Sequence, residues 1–176
     1  MIDEDGKRCY MIGARGLNIG NGKILAHWNW ASHPRTRVLE VAELVSVWWL
    51  GFRGKMNLEL LSPRTTYVVY LVFKIAKDSR GLSGPATAAI RTWETTVKTK
   101  LPRRTVFLIN GEHVTEEYYS PQERSDGWME IHLGEFYVKR EDYRLLQLKF
   151  QFVEEKDIEK KGLIIQGIEF RPKQYT

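Results

Sequence analysis

The chain has 176 residues, 43% hydrophobic and 28% charged, which is the composition of one ordinary globular domain and excludes a disordered or collagen-like polymer. Lys and Arg number 27 against 22 Asp and Glu, a net charge of +5 that mildly favours anionic partners. The single cysteine, Cys9, excludes an internal disulfide. No apolar run reaches membrane-spanning length, and the opening Met-Ile-Asp-Glu-Asp-Gly has no apolar signal core. We therefore expect a reducing compartment, no membrane, and no secretion by a signal peptide.

Residues 1–8 read as an N-terminal tail, followed by a first strand around Cys9 and Tyr10. The Asn21-Gly22 turn leads into a second strand carrying His27-Trp28-Asn29-Trp30. Val38, Val41, Ala42 and Val45 follow helical spacing behind Thr36, which predicts one short helix, although so short an apolar run could equally open the next strand. From Trp48 to Leu60 the period is two, with Trp48, Leu50, Phe52, Met56 and Leu58 facing the core and Trp49, Arg53, Lys55 and Glu59 facing water. Tyr67 to Ile75 is apolar almost throughout, as in a central strand covered on both faces. Residues 77–104 read as a long loop excursion, rich in Gly, Ser and Thr and then basic. Alternation returns at Met129, Ile131 and Leu133 and at Leu146, Leu148, Phe150 and Phe152, and a last strand runs from about Leu163 to Arg171. Ser62-Pro63, Asn110-Gly111 and Asp126-Gly127 mark further turns. Short antiparallel strands of this kind predict an all-β, antiparallel β-sandwich of jelly-roll type, with the one short helix.

Catalytic signatures are missing. Gly16 to Lys23 has the wrong spacing for a phosphate loop, and Ile24 stands where a hydroxyl would bind magnesium. The four histidines His27, His33, His113 and His132 lack metal-ligand spacing, and no nucleophile elbow occurs. Glu130 and Glu135 offer the paired carboxylates of a glycosidase, but strand parity sets them on opposite faces. No catalysis, metal or cofactor is expected.

Three groups of residues carry binding chemistry. Trp28 and Trp30, at i and i+2, share one face of their strand. They are either core rings or a floor on which the C–H underside of an N-acetylglucosamine ring stacks, with Asn21, His27 and Asn29 as polar neighbours. The same rings would also suit nucleic-acid bases. Trp128, Glu130 and His132 occupy the wet face of their strand, either as a second part of a ligand site or beneath a covering loop. Trp49 lies opposite the core-facing Trp48, under the excursion or at a subunit contact. The basic run Lys98, Lys100, Arg103 and Arg104 reads as a solvated loop, a nuclear-import signal or a contact to RNA phosphates.

A set of matching stretches runs in order along nearly the whole chain: Ala14-Arg-Gly-Leu-Asn-Ile19, Trp28-Asn-Trp30, Glu40-Val-Ala-Glu-Leu44, Gly54-Lys-Met56, Tyr70-Leu-Val-Phe-Lys74, Arg124-Ser-Asp-Gly-Trp-Met-Glu-Ile131, Leu133-Gly-Glu-Phe136 and Gly162 to Lys173. On these the chain resembles the plant phloem protein 2, or Nictaba-related, lectins. The resemblance implies a single lectin domain over residues 9–176, a β-sandwich that forms homodimers, and no catalysis. It implies binding of N-acetylglucosamine oligomers, chitin-like sugars and the N-glycan core of glycoproteins. Further implied partners are RNA and phloem filament protein, and the implied location is the cytoplasm or phloem sap. Lys100-Leu-Pro102 falls where some relatives carry a lysine run, which extends the location to the nucleus. Trp28 falls on the second of two sugar-binding tryptophans of the family, whereas the first falls on Asn21. The family's glutamates in the strand before the last have Leu and Gln as equivalents here, with Glu154 and Glu155 just beyond.

The sequence thus predicts a carbohydrate site at Asn21, His27, Trp28, Trp30, Trp128 and Glu130, with Trp28 open to solvent as its floor. The alternative is an RNA-binding carrier acting through Lys98, Lys100, Arg103 and Arg104, with weak or secondary sugar binding.

Overall fold

Period-two alternation builds most of the molecule. In the computed structural model, which describes residues 1–20, 22–109, 120–153 and 158–174, Phe52, Gly54 and Met56 are buried while Arg53, Lys55 and Asn57 are exposed. The strands among the described residues are β1 (Tyr10–Gly13), β2 (Asn18–Ile19), β3 (Trp28–Ala31), β4 (Val41–Leu44), β5 (Gly51–Asn57), β6 (Thr65–Arg80), β7 (Ala86–Glu94), β8 (Val97–Lys100), β9 (Arg104–Val106), β10 (Gln122–Glu123), β11 (Met129–Val138), β12 (Leu145–Phe152) and β13 (Lys161–Pro172).

They form two antiparallel sheets. The first has the order β10-β11-β6-β13-β4-β3, with β1 also paired to β13; the second has the order β2-β5-β12-β7-β8, with β9 also paired to β7. The all-β antiparallel sandwich is therefore as expected. The inner faces meet in one core whose largest enclosed side chains include Trp28, Phe52, Tyr67, Phe73, Phe150 and Phe170. Phe52 and Phe150 are direct cross-strand partners, and their rings stack at 4.9 Å. Val68, Val69, Leu71, Val72 and Phe73 of β6 are all buried, so this central strand is covered on both sides, as its unbroken apolar run predicted.

Three expectations about elements fail. The predicted short helix is strand β4: Val41 faces outward under a covering segment and Ala42 faces the core, and burial on both sides mimics helical spacing. Among the described residues the helical segments are single 3-10 turns at Ala14–Gly16 and Leu58–Leu60. Trp48 does not face the core, because regular pairing begins at Gly51; the segment before it touches the sheets through the bridge Val47–Lys160, and Trp48 is 55% exposed. Residues 77–104 are not a loop, since β6 continues to Arg80 and β7 takes an interior place in the second sheet beside β12. The predicted turn at Asn110-Gly111 lies outside the described residues.

The molecule has two distinct ends. Residues 1–8 fold back through the bridge Ile2–Arg8 and dock beside the start of β6: Lys7 Nζ donates to Thr65 Oγ1 at 2.9 Å and Tyr67 Oη donates to the Arg8 carbonyl at 2.7 Å. Lys173 N donates to the Thr66 carbonyl nearby, so the end of β13 lies at this base beside residues 1–8. The bridge Val47–Lys160 marks the opposite end, one full β13 strand away, roughly 40 Å at about 3.3 Å per residue.

At Gly167, opposite Gly13, β1 lies so near β13 that a Cβ would sit 2.2 Å from the Ile12 carbonyl oxygen. The obstacle is backbone and cannot swing away. Gly167→Ala is expected to lower stability by about 1–3 kcal/mol, read as an earlier urea midpoint at unchanged m-value.

Candidate functional site

The expected indole floor at Trp28 is not open. Trp28 and Trp30 do share a face of β3, but it is the inner face: Trp28 is 0% exposed and Trp30 is half-buried against the same core. An indole N–H taken out of water is stabilised by an acceptor, and Trp28 and Trp30 both have one, whereas Trp128 Nε1 has none among the described residues. Trp28 Nε1 donates to the Gly20 carbonyl at 3.2 Å and Trp30 Nε1 to the Gly22 carbonyl at 2.9 Å, so the two rings pin the turn that precedes them. The Arg15 guanidinium covers what remains of Trp30, 4.0 Å from its ring centre. His27 is half-buried; its Nδ1 lies 2.7 Å from the Ser46 carbonyl, which can only accept, so Nδ1 carries the proton. Asn29 faces outward and donates to Glu43 Oε1 at 2.6 Å. Asn21 lies outside the described residues, as do Glu154 and Glu155.

Trp128 and Glu130 are likewise covered. Trp128 is 0% exposed and packs with Val41 and Val72 beneath Met11 and Val38, so a loop lies over this side of the sheet. The Lys74 ammonium sits 4.6 Å from its ring centre. Glu130 is held by both guanidinium nitrogens of Arg171, at 2.9 Å for the longer contact. A register shift between His132 and Gly134 then inserts one residue into β11, so Glu135 emerges on the same face as Glu130 and His132, not on the opposite one that simple alternation implied. Glu135 is paired with Lys173 at 3.0 Å and with His132 at 3.2 Å. These groups line a hollow of about 520 Å³ with Tyr70 and Cys9, in which the Arg171 guanidinium stacks on Tyr70 at 3.8 Å. Glu135 there is paired with cations, and burial, followed by the charges of Asp3 and Glu169, pushes the Cys9 thiol up, away from nucleophilic chemistry.

The exposed aromatic floor lies elsewhere, at the end of the molecule opposite the chain termini. Trp49 is 48% exposed. A Cβ on Gly20 would lie 2.6 Å from Trp49 Cζ3, and one on Gly51 would lie 2.7 Å from Cη2, so the ring rests where two adjacent strands carry no side chain. Gly20 N donates to the Gly51 carbonyl at 3.2 Å and joins these supports. Val45 N donates to the His27 carbonyl at 2.8 Å, and Lys160 Nζ to the Trp48 carbonyl at 2.9 Å, which hold the 45–49 segment from both sides. Beside the ring is a hollow of about 190 Å³ lined by Asn18, Arg53 and Lys149. An apolar plane with a few fixed polar groups at its edge suits a small polar ligand with one apolar side. Sequence parity placed Trp49 on the wet side but gave it a covering loop or subunit contact; within the described chain it is open. The signal that could have found it is the pair of small residues Gly20 and Gly51 flanking exposed tryptophans.

The basic run is divided. Lys98 and Lys100 stand exposed on β8 and Arg103 on the following loop, whereas Arg104 is half-buried with its guanidinium against His132. Burial, followed by the charge of Arg104, holds the His132 imidazole below its ordinary value despite the opposing pull of Glu135. The unfolded chain therefore takes up this proton first on acidification, so the linked stability is present above about pH 6.5 and falls as pH drops toward the lower folded value. His132→Gln is expected to flatten the melting temperature across that window, measured by thermal denaturation at stepped pH.

The family described as Phloem protein 2 matches residues 7–172. Among curated Arabidopsis thaliana proteins, F-box protein At2g02240 is 37% identical over 174 residues, 95% of this chain and 52% of that protein. F-box protein PP2-B10 is 37% identical over 169 residues, 95% of this chain and 61% of that protein. The chain thus spans between about half and two thirds of the length of these relatives. Among solved structures, the Clostridium thermocellum xylanase 10B CBM22-1-GH10 modules align with a TM-score of 0.44 and 11% identity, over 97% of this chain and 28% of that one, a likeness too remote to inform the site. Matched in order along almost all of its length, the chain belongs to the phloem protein 2 family, which is lectin-like and non-enzymatic in general.

Proposed function

We propose that this domain is a carbohydrate-binding module for N-acetylglucosamine oligomers, as in chito-oligosaccharides and N-glycan cores, with Trp49 as the stacking floor. The observation that carries the reading is the half-exposed Trp49 indole lying on Gly20 and Gly51 beside Asn18, Arg53 and Lys149. A pyranose presents one C–H-rich side to such a ring, while edge groups can accept or donate to its hydroxyls and acetamide. The lectin-like character of the family supports the same conclusion. In a longer protein of the F-box kind seen among the relatives, a module of this type would supply recognition of glycan-bearing partners.

Calorimetric titration with chitotriose tests the assignment. Trp49→Ala is expected to weaken binding by about 1–3 kcal/mol, the range for loss of one aromatic stack. Gly20→Ala should weaken it as well, because the new methyl displaces the ring. Trp28→Phe keeps a ring in the core but loses the bond to the Gly20 carbonyl, so it should weaken binding less than Trp49→Ala does. Since the ligand is neutral, binding should change little with salt. Wild-type affinity in a folded Trp49→Ala protein would remove Trp49 from the site.

A further inference from the structure

The outward side of the second sheet carries a charge pattern that the neutral-sugar reading does not use. Alternation turns Arg53 and Lys55 of β5, Lys149 of β12 and Arg91 of β7 away from the core. Cross-strand partners share a face, so Lys100, opposite Arg91, and Lys98, opposite Trp93, point the same way. Six cations thus share one side of a sheet, and no Asp or Glu occupies an outward position of these strands among the described residues. None of the six forms an ion pair with a described carboxylate.

Their register is the informative part. Arg53 stands directly opposite Lys149, and Arg91 directly opposite Lys100. Like charges in that relation weaken a sheet, whereas on the outer side of the first sheet Glu130, Glu135 and Glu169 are each held by cations. Lys55, Gln147, Arg91 and Lys100 form one row across four adjacent strands, about 4.8 Å from strand to strand. Between the cations are uncharged hydrogen-bonding groups: Asn57, Gln147, Gln151 and Thr87. Trp93 of these rows is half-buried and Trp49 lies at one end over Gly51, so a series of successive stacking platforms, as binds single-stranded nucleic acid, does not run along them.

We propose that this side of the second sheet binds a linear acidic polysaccharide, a polyuronate, with the cations on its carboxylates and the amides and hydroxyls on its sugar hydroxyls. Charge complementarity carries the choice of a polyanion; the interleaved amides, and the absence of a ring beside each successive cation, select an acidic sugar over RNA. Arg53 and Lys149 also border the Trp49 hollow, but the row through Lys55, Arg91 and Lys100 lies beyond it, so the inference does not rest on the neutral-sugar site.

The test titrates the whole chain with de-esterified oligogalacturonate, its methyl ester, polyuridylate and chitotriose. The expected result is binding of the acidic oligomer, no binding of the neutral ester, and at least a tenfold loss of affinity between about 50 and 200 mM salt. Reversing Lys55, Arg91 and Lys100 to Glu should lower that affinity at least about tenfold while chitotriose affinity is retained. The neutralising triple variant to Gln, checked by circular dichroism, should show the same direction if the reversed protein does not fold. Failure of the acidic oligomer to bind, equal binding of its methyl ester, or tighter binding of polyuridylate through the same three residues would overturn the proposal. Loss of chitotriose binding alone would count against the Trp49 site and leave this one standing.

Discussion

Two indole N–H groups taken out of water, those of Trp28 and Trp30, find backbone carbonyls, and these bonds organise the end of the molecule that carries Trp49. Trp28 is enclosed completely, and its N–H donates to the Gly20 carbonyl. The bond fixes the backbone of residue 20, where a side chain would collide with Trp49. Trp30 repeats the device one step later on Gly22, and His27 ties the same stretch to Ser46. An enclosed tryptophan thereby sets the position of an open one. The two rings have opposite environments and a single structural logic, since the inner one is a fastener and the outer one a surface.

The outer sides of the two sheets treat charge in contrasting ways. On the first sheet, Glu169 is almost wholly buried, with Arg37 at 2.6 Å, Arg171 at 3.0 Å and Arg124 at 3.4 Å around it. Carboxylates withdrawn from water remain charged only when cations and donors surround them, so this network is a condition of covering that side with the N-terminal strand and the 33–38 segment. The outward rows of the second sheet remain wet, and their cations need no such closure. Among the described residues, the six cations of that side form no ion pair with a carboxylate, whereas Glu130, Glu135 and Glu169 of the first sheet are each held by cations.

Much of this architecture was legible in the residues, and the failures share a physical cause. Where one face is core and the other water, as at residues 51–57 and 145–152, period two appears in the sequence and the strands follow it. Where both faces are covered, polarity stops reporting direction. Val41 and Ala42 then imitate a helix, and Trp128 looks exposed although Met11 and Val38 lie over it. Parity also fails wherever a strand gains a residue or stops: the irregularity after His132 carries Glu135 to the side of Glu130, and the late start of β5 frees Trp48. The candidate site suffered most, because Trp28 and Trp49 differ not in type or local pattern but in which of them meets a neighbouring sheet.

The polarity of the fold has a further meaning. Residues 1–8 and Lys173 lie at the base, and Trp49 crowns the far end, a full strand length away. Polypeptide appended at either terminus departs on the side remote from that ring, so the domain behaves as a head on a stem. Tethering such a head leaves its crown free to sweep a volume around the attachment point, which suits the capture of a bulky, surface-borne target better than that of a small solute.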